Sequence, residues 1–230
     1  MVKRHLKRIN APKTWNIQRR GIVYISRGNP GSMEARLTMP IVNVLKYMLQ
    51  LVKTVKEVKY LLKTEEILVN GKKVNDHEHP VCFTDILSLP KTNAHYRMLL
   101  GSDGMLCLVP ISAEEASYKI LKIIGKGFVK GKLQFRLMDG RNIFFEKPHY
   151  KVHDSLLIKL PEHIVKEHLK CEKGMLVLLY KGKHMGKIGT LEDIKGDIVT
   201  VKTGADVYET KKEYIMVVGK DKPEIKMTKK

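Results

Sequence analysis

Residues 40–74 read PIVNVLKYMLQLVKTVKEVKYLLKTEEILVNGKKV, and their pattern is that of two short helices followed by a tight hairpin. Pro40 suits a first helical turn, where the N–H it lacks would have no partner anyway. Ile41, Val44, Leu45, Met48 and Val52 recur at helical spacing, with Asn43, Lys46, Gln50 and Lys53 on the opposite side. Thr54 and Glu57 form a Thr-x-x-Glu capping box, which predicts a second helix beginning at residue 55. Its apolar face is Val55, Val58, Leu61 and Leu62, and Lys56, Lys59 and Lys63 line the other. Ile67, Leu68 and Val69 then lead into Asn70-Gly71, the pair that a type I′ hairpin turn favours, and Lys72 and Lys73 follow it.

A helix pair and a hairpin with lysines along one side offer a surface that fits a phosphate backbone. The segment resembles the S4-type RNA-binding domain, in which such a unit grips structured RNA. Taken alone, lysines on one helix are more often a solvated face than a binding surface. Three adjacent basic elements in a chain with 43 Lys+Arg against 24 Asp+Glu, a net charge of +19, favour binding.

That charge implies affinity for polyanions and leaves the fold open. A hydrophobic fraction of 43% supplies enough apolar side chain for packed cores, which excludes a disordered polycation. No apolar run approaches the 18 or so residues needed to span a bilayer. Met1-Val2-Lys3-Arg4-His5 is not followed by the apolar segment of a secretion signal, so a cytoplasmic chain without a membrane partner is expected. Cys82, Cys107 and Cys171 are odd in number and widely spaced, as for reduced, buried thiols.

Residues 1–39 hold nine Lys or Arg and a single acid, Glu34, with Pro12, Gly21, Gly28, Pro30 and Gly31 interrupting any regular element. Such a segment is expected to be an arm that orders against a partner. Trp15, the only tryptophan, either anchors the arm to the body or stacks on an RNA base.

After the hairpin, residues 79–89 read as a turn entering a strand. Tyr96–Leu100 and Met105–Val109 form a hairpin about Gly101-Ser102-Asp103-Gly104, and Ser112 with Glu115 make a second capping box that predicts a helix of about two turns. Short strands follow at 119–124, 133–137, 142–145 and 156–158, with Asp139-Gly140 as a turn, a spacing that suggests a small barrel. Strands at 177–180 and from 188 enclose Lys181-Gly182-Lys183-His184-Met185-Gly186-Lys187-Ile188-Gly189, and later strands lie at 198–201 and 214–218. This glycine-spaced loop resembles the KOW motif of ribosomal proteins and transcription elongation factors.

No catalytic constellation is visible. Gly125-x-Gly127-x-x-x-Gly131 has one residue too many for a dinucleotide fingerprint, and no phosphate-binding Gly-x-x-x-x-Gly-Lys loop exists. His77 and His79 flank Glu78 without further ligands, and His149 and His153 lie in a strand or loop where they need not converge, so no metal or other cofactor is expected. Asp85 and Asp154 have no partner visible in the sequence.

His5-Leu6-Lys7-Arg8, Ala11-Pro12-Lys13 and Trp15 resemble the opening of the small-subunit ribosomal protein family S4e. The resemblance implies an α+β chain of several modules: a basic N-terminal arm (1–39), a small αα-hairpin RNA-binding domain (40–92), a central β-rich, barrel-like domain (93–172), a KOW-type small β-barrel (173–220) and a basic tail (221–230). It implies a non-enzymatic structural constituent of the small subunit, with ribosomal RNA and neighbouring small-subunit proteins as partners. The RNA-binding candidates are Lys3, Arg4, His5, Lys7, Arg8, Lys13, Trp15, Arg19, Arg20, Arg36, Lys46, Lys53, Lys56, Lys59, Lys63, Lys72, Lys73, Lys183 and Lys187. The competing readings are an accessory module of an RNA-modifying enzyme and a transcription elongation factor built on the KOW unit.

Overall fold

A computed structural model describes residues 5–145, 150–204, 206–220 and 222–227, so Lys3, Arg4, Pro148 and His149 lie outside the described residues. The chain divides into two compact units. One comprises residues through Leu99 together with Met105–Ala116, and the other comprises Leu100–Gly104 and the chain from Ser117 onward.

In the first unit the region expected to be a partner-ordered arm is folded. Leu6–Lys7 pairs antiparallel with Tyr24–Ile25, and the backbone between them is tied by side chains. The Trp15 indole is 4% exposed and donates to the Thr38 carbonyl at 2.7 Å and the Ala35 carbonyl at 3.2 Å. The Arg19 guanidinium donates to the carbonyls of Ala11 at 2.6 Å, Pro12 at 2.7 Å and Arg8 at 3.2 Å. A segment too poor in apolar residues for a core of its own is thus ordered by one large ring and by guanidinium donors that saturate its carbonyls.

The helix expected from residue 41 is shorter than its periodicity suggests. A single α-turn, Ile41–Asn43, widens across Val44–Met48, where the Leu49 N–H reaches the Val44 carbonyl and the Leu51 N–H reaches the Leu45 carbonyl, both at 3.1 Å. Gln50 then takes a positive φ of 54° and ends the winding. The apolar periodicity continues to Val52 because that side chain is still buried, although its backbone is no longer helical. The second helix, Val55–Thr64, starts where expected. Glu57 N–H donates to the Thr54 hydroxyl at 3.2 Å, and the Glu57 carboxylate accepts from the backbone N–H groups of Thr54 and Lys53. Val58 and Leu62 are fully buried.

Asn70 and Gly71 take φ of 53° and 77°, joining Leu68–Val69 to Lys72–Lys73 as a type I′ turn requires. Asn70 also has a role that no turn rule anticipates. It is buried, its amide donates to Asp85 at 2.8 Å, and its side-chain oxygen accepts from the Ile86 N–H at 3.0 Å. Asp85 accepts in addition from the Cys82 N–H at 2.7 Å, so this acid has two partners and locks the hairpin to the next strand.

The order in the five-stranded sheet is Lys72–Lys73, Leu68–Val69, Ile86–Leu89, Ala94–Leu100, Leu106–Ile111. The strands Ala94–Leu100 and Leu106–Ile111, expected to open the central domain, therefore extend this sheet, and all their residues but Leu100 fall in the first unit. Nor does the Ser112 capping box start a helix. Glu115 N–H does donate to the Ser112 hydroxyl at 3.3 Å, but only a single 3₁₀ turn, Glu115–Ser117, follows before a strand begins. Glu115 has other work: its carbonyl accepts from the fully buried Arg97 at 2.9 Å, and its carboxylate lies 3.8 Å from that guanidinium.

The second unit holds two open five-stranded sheets. In the first, the twelve-residue strand Tyr118–Val129 pairs with Ser155–Lys159 along its first half and with Lys132–Leu137 along its second. An irregularity between Ile123 and Gly125 marks the change of partner. Leu121, Ile123, Leu133, Phe135, Leu137, Leu156 and Ile158 form its core. Asp154 is not solitary, since it accepts from His168 Nε2 at 2.7 Å and from the N–H groups of Lys151 and Cys171 at 3.0 Å. In the second sheet Leu176–Leu179 is flanked by Ile188–Lys195 and Ile215–Gly219, with Ile198–Thr203 and Asp206–Lys211 beyond. Lys122, buried on the first sheet, donates to the carbonyls of Ile215 at 2.7 Å, Glu213 at 2.8 Å and Lys212 at 3.0 Å.

Candidate nucleic-acid interface

Burial of Val58 and Leu62 turns the polar side of the second helix to solvent. Lys53, Lys56, Lys59 and Lys63 are all exposed there, with Lys72 and Lys73 exposed on the adjoining hairpin. Of these, Lys73 lies 3.9 Å from the carboxylate of Glu66. The Lys53 backbone N–H, then the Thr54 hydroxyl, hold the Glu57 carboxyl below its ordinary range, so the helix's one acid is committed to the helix end. The row carries more exposed lysines than exposed acids, an excess that favours a polyanion.

Beside it lies a cleft of about 530 Å³ lined by Arg8, Gln18, Arg20, Gly21, Ile22, Lys46, Tyr47, Gln50, Val52 and Lys53, with no acid among them. Tyr47 is its one aromatic side chain. The Arg8 guanidinium stands 5.0 Å from the Tyr47 ring and donates to the Tyr47 hydroxyl and, at 2.7 Å, to the Gln18 carbonyl. Lys46 Nζ lies 5.3 Å from the same ring. Gln50, which lines the cleft, takes a positive φ of 54° where the winding ends. Tyr47 was not among the sequence candidates, although an aromatic directly beside a lysine in a basic stretch is the signal that marks it.

The candidates thus separate. Arg20, Arg36, Lys7, Lys13 and His5 are exposed, with His5 set edge-on to Tyr24 at 5.5 Å. Arg8, Trp15 and Arg19 were expected to contact RNA but are engaged in the fold. Arg8 and Trp15 are buried, and Arg19 spends its donors on three backbone carbonyls. In the glycine-spaced loop Lys183 is exposed, whereas Lys187 donates to the Tyr208 hydroxyl and lies 4.5 Å from its ring. His184 stacks on the same ring at 3.9 Å. Lys187 is therefore held in place by Tyr208 and is not a freely extended cation.

No cluster of three His, Cys, Asp or Glu side chains suited to a metal is found among the described residues, and His77 instead lies 3.3 Å from Asp76 and 3.9 Å from Glu78. Burial pushes the Cys171 thiol up from its ordinary range, opposite to what a nucleophile needs. No helix among the described residues is long and apolar enough to cross a membrane.

The chain is 36% identical over 232 residues to the small ribosomal subunit protein eS4 of Methanocella arvoryzae, covering 98% of each chain. It is 35% identical to that of Methanosphaera stadtmanae, covering 98% of this chain and 96% of the relative. The chain belongs to ribosomal family S4e. The family's own profile matches residues 92–165, and that of the RS4NT (NUC023) domain matches residues 2–32. The crystal structure of the 30S ribosomal protein S4e from Thermoplasma acidophilum superimposes with a TM-score of 0.70 at 24% identity, over 80% of this chain and 96% of that one. S4e is a family of ribosomal structural proteins and not of enzymes, which sets aside the RNA-modifying and elongation-factor readings.

Proposed function

We propose that this S4e chain is a structural constituent of the small ribosomal subunit that binds ribosomal RNA through basic surfaces on several modules, supporting subunit assembly and translation on cytoplasmic ribosomes. The observation that carries this reading is the acid-free cleft between Arg20, Lys46 and Lys53, continuous in sequence with the exposed lysines of the second helix. The relatives' name, small ribosomal subunit protein eS4, supports the choice of RNA.

Residues 40–92 act as an S4-type unit, with Lys46, Lys53, Lys56, Lys59, Lys63, Lys72 and Lys73 on phosphates. The loop containing Lys183 and Lys187 acts as a KOW-type contact. Lys and Arg displace condensed counterions from the RNA, and their release favours binding. The shape of A-form RNA, with its shallow groove of 2′-hydroxyls, is what such a surface reads. Exposed residues beyond these modules meet neighbouring small-subunit proteins.

The test is the salt dependence of binding to a small-subunit rRNA transcript. About eight phosphate contacts give a log–log slope of roughly −6 to −7. A slope near −1 would remove the electrostatic mechanism.

A further inference from the structure

The glycines at 125 and 127, which form no dinucleotide fingerprint, have a different consequence in the folded chain. They sit in the second half of Tyr118–Val129, on the outer face of the first sheet of the second unit. Cross-strand register places Gly125 opposite Arg136 and Gly127 opposite Gln134; Arg136 in turn pairs with Asn142 and Gln134 with Phe144. Leu133, Phe135 and Leu137 point the other way, into the core. On the outer face the backbone is therefore uncovered at Gly127, between larger side chains, while Gly125 is buried. A Cβ on Gly127 would meet nothing within 4 Å. The Arg136 guanidinium lies across Gly125, its atoms 2.8–3.3 Å from where a Cβ would stand. Phe144, 51% exposed, stands level with Gly127 on the edge strand.

We infer that this outer face is a stacking platform for unpaired RNA bases, with Phe144 and the Arg136 guanidinium as the planar surfaces and the open backbone at Gly127 as the hollow that admits a base. The inference rests on the rRNA-binding reading and adds to it a site that the lysine pattern does not contain. Charge complementarity selects the occupant. Residues 118–138 contain no Asp or Glu, and Lys130, Lys132 and Arg136 are exposed around Gly127. An aromatic ring among cations serves a polyanion that carries flat apolar groups, which describes single-stranded nucleic acid. A duplex keeps its bases stacked internally and offers no face to such a surface.

The experiment uses the full-length chain, a small-subunit rRNA transcript, and two single substitutions, Phe144→Ala and Gly127→Val. Phe144 lies on the exposed face, so its loss leaves the core intact. Gly127 has open space above it and a φ outside the left-handed region, so valine suits the strand and its Tm is retained or raised. Each substitution should weaken transcript binding about fivefold or more, as the loss of one stacked base does, and should abolish an ultraviolet crosslink from Phe144 to an unpaired base. A variant that is at least as stable as the parent yet binds RNA less well separates platform from fold. Parent-like binding by both variants, while Lys56, Lys59 and Lys63 changed together to Gln weaken it, would overturn the platform and leave the ribosomal reading standing. Failure of the parent chain to bind the transcript would remove both. If the variants bound RNA normally but failed to enter subunits, the face would belong to a protein neighbour and the inference would be wrong.

Discussion

At the scale of single residues, the basic composition conceals two kinds of cation. Arg8, Arg19, Arg97 and Lys122 are consumed by carbonyls inside the fold, whereas Lys56, Lys59 and Lys63 point outward. Burial lowers Lys122 from its usual value to about 7. Between about pH 7 and 10.5 the native chain therefore binds fewer protons at this site than the unfolded chain, and its contribution to stability rises with pH. Stability curves of the parent and Lys122→Met, measured by denaturant unfolding from pH 6 to 10, should diverge above pH 7 with the parent gaining. Parallel curves would show that Lys122 does not titrate in this range. Trp15 gives a second residue-level outcome. Trp15→Phe removes the indole N–H and strands the buried Thr38 acceptor, which should cost about 1–3 kcal/mol in unfolding free energy. Parent Trp15 emission should already be blue in the free protein and stay so when RNA is added, because the ring is packed.

At the scale of elements, the second helix has separable faces. Changing Lys56, Lys59 and Lys63 to Gln should reduce rRNA affinity with little change in Tm, since exposed charges contribute little to stability. Val58→Asp should do the reverse, unfolding the unit at a cost of roughly 4 kcal/mol or more, because it buries an unpaired carboxylate. Full-strength RNA binding by the triple variant would mark the lysines as solvated bystanders. The N-terminal segment behaves as an element of the fold, so deleting residues 1–20 should lower the Tm through the loss of Trp15, Arg8 and Arg19. An unchanged Tm would show that the segment is only draped on the unit. The hairpin was legible down to its turn residues, because Asn-Gly reports φ directly. The missing Ser112 helix was not, because a capping box is local and Glu115 is drawn to Arg97 eighteen residues away.

At the scale of the whole molecule, a net charge of +19 repels itself in the free chain and attracts RNA, so added salt should act with opposite signs. The free protein's Tm should rise as salt screens the repulsion, while its co-sedimentation with 30S-sized particles should fall. A Tm that dropped with salt would mean that ion pairs such as Lys173–Asp193, at 2.6 Å, outweigh the repulsion.

The amino-acid sequence by itself determined the all-over basic character, the capped second helix, the Asn-Gly hairpin and the short-strand texture of the C-terminal half, because each depends on composition or on residues within a few positions of one another. Tertiary structure decided which cations are available. Arg8 and Arg20 are indistinguishable in a charge count, yet one is buried against Tyr47 and the other is exposed beside the same cleft. It also decided where residues 94–111 pair, how far the first helix runs, and that Gly127 lies level with Phe144 across two strands. These are long-range pairings set by register and burial, and local spacing does not encode them.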